Sequence, residues 1–131
     1  VIPKFIQILQ NGNVPTIHGD GEQTRDFTYV ANAVHANLNA CANAERAKGL
    51  VMNVGYGDRI SLNELYSIIA KNLGIDVKPE YGPPRAGDVR DSLADITRAQ
   101  KFIDYNPAIG HEEGLKLTVD WFDGRPRPIG S

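Results

Sequence analysis

Two short segments concentrate the side chains with chemical potential. The first is Thr24-Arg25-Asp26-Phe27-Thr28-Tyr29-Val30, with an arginine and an aspartate at the head of an amphipathic run. An exposed Arg25–Asp26 pair is the plain structural interpretation, since such pairs are common and weak. The chemical interpretation is a guanidinium aimed at a phosphate, whose paired oxygens suit its planar fork. The second segment is Pro83-Pro84-Arg85-Ala86-Gly87-Asp88-Val89-Arg90. The prolines stiffen this loop, and Gly87 permits close approach or a positive φ. Arg85 and Asp88 are spaced so that one can hold a phosphate and the other a pair of hydroxyls.

Other chemistries lack their residues. No glycine-rich phosphate loop follows a first strand, and Gly19-Asp20-Gly21 stands between two strand-like runs rather than ahead of a helix, so there is no dinucleotide fingerprint. No Tyr-x-x-x-Lys occurs. His18, His35 and His111 are scattered without metal-ligand spacing, and no local signature supports a Ser/His/Asp set. The 131 residues carry 14 basic against 16 acidic side chains, a net charge of −2, which argues against a polyanion-binding surface over the whole protein. A local anion site built from a few arginines remains compatible with that balance. The single cysteine, Cys41, allows no intrachain disulfide and points to a cytoplasmic protein. In its alanine-rich helical context it is expected to be a small core residue. No apolar run approaches the roughly 18 residues of a membrane span, and no signal-peptide pattern is present. The chain opens on Val1-Ile2-Pro3 and moves straight into a helical pattern, which reads as the start of an excised fragment.

The elements that must position these residues follow from periodicity. Ile2, Phe5, Ile6 and Leu9 predict a helix over 1–10, with Pro3 in its first turn and Asn11-Gly12-Asn13 as its stop. Val14 to His18 and Thr24 to Val30 flank an Asp-Gly pair and predict a hairpin. Residues 31–47 predict a helix with Val34, Leu38, Cys41 and Ala42 on its inner side. Leu50 to Val54 has the compact apolar character of an interior strand of a parallel sheet, which needs neighbours. Ser61-Leu62-Asn63-Glu64 matches a capping box and opens a helix that closes at Gly74. Further elements are an edge strand at 77–81, a helix from about Ile96 to Ile103 capped by Asp95, and a helix from about Glu112 to Phe122. The chain divides into a region 1–125 and a proline-rich tail, 126–131.

Taken together and in order, VIPKFI, GDGEQTRDFTYV, VMNVGYGDRISLNELY, PPRAGDVRDSLADITRA and EEGLKLTVDWF resemble the C-terminal part of extended short-chain dehydrogenases, the NAD-dependent epimerase and dehydratase family. The resemblance runs over almost the whole chain and is closest to bacterial UDP-sugar 4-epimerases of the UDP-N-acetylglucosamine type. It implies an α/β fold: the substrate-binding portion of such an enzyme, without most of the Rossmann sheet. It also implies a parent, a homodimer, that binds NAD in an N-terminal Rossmann half and inverts C4 of a UDP-sugar with a Tyr-x-x-x-Lys pair, none of which occurs here.

Residue by residue, the resemblance assigns Arg25 and Arg85 to the diphosphate and Asp88 to the ribose hydroxyls. Val1 and Ile2 fall where the family's helix start meets the nucleotide, and Thr16, Ile17 and His18 on the strand that flanks uracil. Ser92, seven beyond Arg85, matches the position where a small side chain leaves room for an N-acetyl group. Tyr56 lies in a loop facing the cofactor side in relatives. Two departures are Asn32, where many relatives carry Asp, and Asp91, where a His often precedes Ser92; Asp91 adds negative charge close to the expected diphosphate site. Three functions stay open: part of an epimerase, part of a dehydratase or decarboxylase with the same clamp, and a stand-alone binding or structural module with a vestigial pocket. A further expectation is self-association, or the addition of a partner strand, at an apolar edge at 50–54.

Overall fold

The computed structural model describes residues 1–124; the proline-rich tail lies outside the described residues. The first helix, α1 (Ile2–Gln10), places Pro3 where its missing N–H costs no hydrogen bond and buries Phe5, Ile6 and Leu9. Two strand pairs follow in the order β1 (Thr16–His18), β2 (Thr24–Arg25), β3 (Ile60–Ser61) and β4 (Glu80–Gly82). Helices α2 (Val30–Ala42) and α3 (Ala44–Ala47) precede β3, α4 (Leu62–Leu73) follows it, and α5 (Thr97–Ile103) and α6 (His111–Phe122) follow β4.

The core has two parts. In the larger, α4 packs against both α1 and α6, burying Phe5, Ile6, Leu9, Ile17, Leu65, Ile69, Leu115 and Val119. The smaller joins α2 to α5 through Ala36, Ala99, Ile103 and Tyr105. The capping box forms as expected: Ser61 Oγ accepts from the Glu64 amide at 3.1 Å, and the Glu64 carboxylate accepts from the Ser61 amide at 2.8 Å. Gly74 ends α4 with φ 69°, where a side chain would be strained. Asp95 Oδ1 accepts from the Thr97 amide at the start of α5.

The expected hairpin does not form. β1 pairs in parallel with β4, and β2 pairs antiparallel with β3. The reason lies at the start of α4. Its unpaired first amides, on Leu62 and Asn63, donate to the Gln23 and Gly21 carbonyls, and Asn63 Nδ2 donates to Asp20. The helix terminus therefore takes the backbone groups of the 19–23 turn and separates β1 from β2. The predicted edge strand is β4, shifted to residues 80–82.

Among the described residues the 50–54 segment lacks the neighbours an interior strand needs, and the expected inner side of the second helix is not buried. Residues 50–54 join no strand ladder among the described residues, and Val51 is 81% exposed. The expected inner side of the 31–47 helix faces outward, with Val34, Leu38 and Cys41 exposed; the helix also breaks at Asn43. Cys41 is thus not a core residue. What α2 buries instead is Ala36 and Asn32, the latter only 2% exposed. The Asn32 amide satisfies itself completely enough for that burial: Nδ2 donates to the Ile109 carbonyl, and Oδ1 accepts from the Ala108 and Ile109 amides.

Candidate functional site

A cleft of about 450 Å³ opens between the start of α1, the β1 strand, β2 and the 83–90 loop. Seven of the expected site residues line it: Val1, Thr16, Ile17, His18, Arg25, Arg85 and Asp88. Ile2 and Ser92 do not. Ile2 lines a separate apolar cleft beside Phe27 and Trp121. Ser92 lines an adjoining cavity of about 510 Å³ with Thr28, Asn53 and Gly55. Tyr56 lies outside the cleft that Arg25 and Arg85 line, its ring edge-on to His111.

Arg25 ends β2 and is held on both sides. Its Nη1 donates to the Thr24 and Arg90 carbonyls, and its Nη2 lies 2.6 Å from Asp88 Oδ1. The simple Arg25–Asp26 surface pair expected from the sequence is absent, because alternate residues of a strand point to opposite faces. The 83–90 loop is tied down at three places. His18 Nδ1 donates to the Pro83 carbonyl at 3.2 Å in the tautomer protonated there, Asp88 meets Arg25, and Arg90 meets Asp20 through both carboxylate oxygens at 2.9 and 3.1 Å. The hydrogen bond from Arg90 holds the Asp20 carboxyl below its ordinary range.

Beyond Arg90 the chain runs parallel to β2. The Thr24 amide donates to Arg90, the Ser92 amide to Thr24, and the Asp26 amide to Ser92. Asp91 is drawn into this ladder: its carboxylate accepts from Thr24 Oγ1 at 2.6 Å and lies 3.7 Å from Arg59. The Thr24 hydrogen bond lowers the Asp91 carboxyl below its ordinary range. Its charge is therefore partnered outside the cleft rather than pointed at an anion within it.

Lys4, Gln23 and Phe27 line the cleft too, and sequence reasoning missed them. The signals were present. Lys4 stands three residues after Val1 on one helical face, and Gln23 alternates with Arg25 on one strand face. Among the described residues neither Lys4 nor Arg85 has an acidic partner, whereas Arg25 is balanced by Asp88. The cleft thus has two uncompensated cations beside one exchangeable ion pair, an arrangement suited to an anion with several oxygens. Among the described residues no cluster of His, Cys, Asp and Glu suits a metal ion.

Fold and cleft define a class: an α/β unit of helices around short strand pairs, with loops converging on an anion-adapted cleft. The family model described as GDP-mannose 4,6 dehydratase matches residues 1–118, and the chain belongs to this NAD-dependent epimerase and dehydratase family. A putative UDP-glucose 4-epimerase from Methanocaldococcus jannaschii is 37% identical over 127 residues, covering 97% of this chain and 40% of that protein. The UDP-N-acetylglucosamine 4-epimerase of Methanobrevibacter ruminantium, solved with UDP-N-acetylmuramic acid, is 41% identical with a TM-score of 0.85, covering 96% of this chain and 40% of that one. The Bacillus cereus UDP-glucuronic acid 4-epimerase, solved with UDP-glucuronic acid and NAD, is 26% identical with a TM-score of 0.86, covering 94% and 39%. Relatives named as a decarboxylase and as a dehydratase also match. The chain spans about two fifths of the length of these relatives and aligns with the C-terminal part of such enzymes.

Proposed function

We propose that this chain binds the nucleotide-diphosphate part of a UDP-sugar, and that the intact protein is a cytoplasmic, homodimeric, NAD-dependent UDP-sugar 4-epimerase. Its substrates are then UDP-GlcNAc and UDP-GalNAc, or the unsubstituted pair. The observation that carries the reading is the convergence of Arg25, Arg85 and Asp88 on one cleft whose other wall is Thr16 to His18. In this reading the arginines hold the diphosphate and the β1 wall flanks uracil, with Val1 at the helix start meeting the nucleotide, while Ile2 packs in the neighbouring apolar cleft. A phosphate oxygen competes with Asp88 for Arg25 Nη2, and the displaced carboxylate turns to the ribose hydroxyls. Ser92, in the adjoining cavity, leaves room for an N-acetyl group.

The residues present do not fit NAD. Neither Gly-x-Gly turn, 19–21 or 55–57, opens a helix whose N-terminus could hold a dinucleotide phosphate: β2 follows the first and β3 the second. Hydride chemistry therefore belongs to the Rossmann half of the intact enzyme, and this chain alone is inactive. A dehydratase or decarboxylase would use the same clamp, and the relatives so named support that second reading.

Calorimetric titration with UDP tests the clamp. Wild type is expected to bind weakly, and Arg85→Ala to bind at least about tenfold more weakly through loss of a charge-assisted bond. Absence of UDP binding by the wild type overturns the clamp and leaves a vestigial pocket.

A further inference from the structure

Asp26 makes none of the contacts expected of the residue beside a phosphate-binding arginine. Its carboxylate has no cationic partner among the described residues. Instead it gathers backbone amides from two separate loops. Oδ1 accepts from the Tyr56 amide at 2.9 Å and from Thr28 Oγ1 at 3.4 Å, while Oδ2 accepts from the Gly57 amide at 3.0 Å and the Ala94 amide at 3.4 Å. Its own amide donates to the Ser92 carbonyl. Gly55 lets the loop come this close, since a Cβ there would meet Asp26 Oδ2 at 2.5 Å and Ala94 Cβ at 2.6 Å.

These bonds reach Arg25 by a continuous route. Asp26 fixes residues 92–94, and that segment runs back along β2 to Arg90, whose carbonyl accepts from Arg25 Nη1. The same residue forms part of the wall of both the clamp cleft and the cavity that Ser92 lines. We propose that Asp26 is the positioning residue of the clamp, a carboxylate clasp that binds the 55–57 and 92–94 segments to β2 and so aims the Arg25 guanidinium into the cleft. This rests on Arg25 being a phosphate ligand, as read above. A carboxylate is required because four donors converge on two oxygens; an amide offers one acceptor oxygen and turns two N–H donors toward amides that are themselves donors.

The test uses Asp26→Asn and, against folding failure, Gly55→Ala, which presses on the clasp from its other side. One measurement needs no ligand: the ¹⁵N–¹H side-chain resonances of Arg25. Resolved, restrained guanidinium signals are expected in the wild type and averaged ones in both variants, with the amides of α4 unmoved. Retention of restrained signals in the variants overturns the proposal. The second measurement is a cycle with UDP. Asp26→Asn is expected to weaken binding about tenfold in the wild type, the scale of one lost charge-assisted bond, and hardly at all in an Arg25→Ala background. Equal losses in both backgrounds mean a general structural role and overturn the proposal. Failure of the wild type to bind UDP overturns the clamp alone, because the resonance measurement still decides whether Asp26 orients Arg25.

Discussion

Helices α1 and α2 are both rich in apolar residues, α1 in a sharper stripe, and they have opposite fates in the fold. On α1, Phe5, Ile6 and Leu9 are sealed against α4, beneath the wall of the clamp cleft. On α2, Val34 and Leu38 face outward, and the 50–54 segment adds the exposed Val51 and Val54. Periodicity says that a face is to be covered; it does not say by what. The cover for α1 lies within this chain. The relatives are two and a half times as long, and an additional sheet from the intact protein is the cover we propose for the α2 face.

The sharpest break between the two regions is energetic. Leu65, fully buried in α4, and Leu38, 63% exposed on α2, are the same residue type in helices of similar length. Leu65→Ala is expected to lower stability by about 2–5 kcal/mol, through lost burial and the cavity left behind. Leu38→Ala is expected to change it by about 0.5 kcal/mol or less. Urea denaturation of the two variants checks this, and equal losses would mean that the α2 face is covered in the isolated chain. A second expectation follows for association. Light scattering at rising concentration is expected to show species above monomer mass, and Leu38→Lys with Val51→Lys to restore the monomer. A wild-type chain that stays monomeric at high concentration would remove the open face as an association surface.

The same contrast explains what was legible in the sequence. Local codes read true: the Ser61–Glu64 capping box, the Gly74 stop and the stripe on α1 depend on neighbours a few residues away. The clamp residues were legible as types, and their convergence follows from the pairing of β1 with β4, which brings the loop after Gly82 over β1. What misled was pairing itself. Strands two or three residues long carry too little pattern to choose a partner, and nothing in Gly19-Asp20-Gly21-Glu22 announces that the amides of Leu62 and Asn63 will claim its carbonyls. The burial of Asn32 was equally hidden, because its partners, Ala108 and Ile109, stand 76 and 77 positions away. Asp26 beside Arg25 looked like an ion pair, and only the arrival of three distant amides shows its use.

The smallest expected effect concerns acid and separates the clamp loop from the core. Asp20 is held below its ordinary 3.8 by the Arg90 hydrogen bond, and Asp91 by the Thr24 hydrogen bond. In each, the folded value lies below the unfolded one. Their contribution is therefore full above about pH 4 and drains away as pH falls through the lowered folded values. Both groups are solvent-exposed, so the energy is small and screened by salt. The place where it acts is more informative than its size. Asp20 anchors Arg90, and Asp91 anchors Thr24, so protonation loosens the ladder between 90–92 and β2 while α1, α4 and α6 keep their apolar contacts. Amide exchange at Thr24 and Ser92 is expected to gain protection loss below pH 4, relative to intrinsic rates, with Leu65 and Ile69 unchanged. Asp91→Asn is expected to lower protection of the Thr24 amide at pH 7 and to leave a smaller acid-induced loss, the part carried by Asp20. A loss of protection shared by Leu65 would mean that the clamp loop and the core open as one unit, and that the clamp has no local stability of its own.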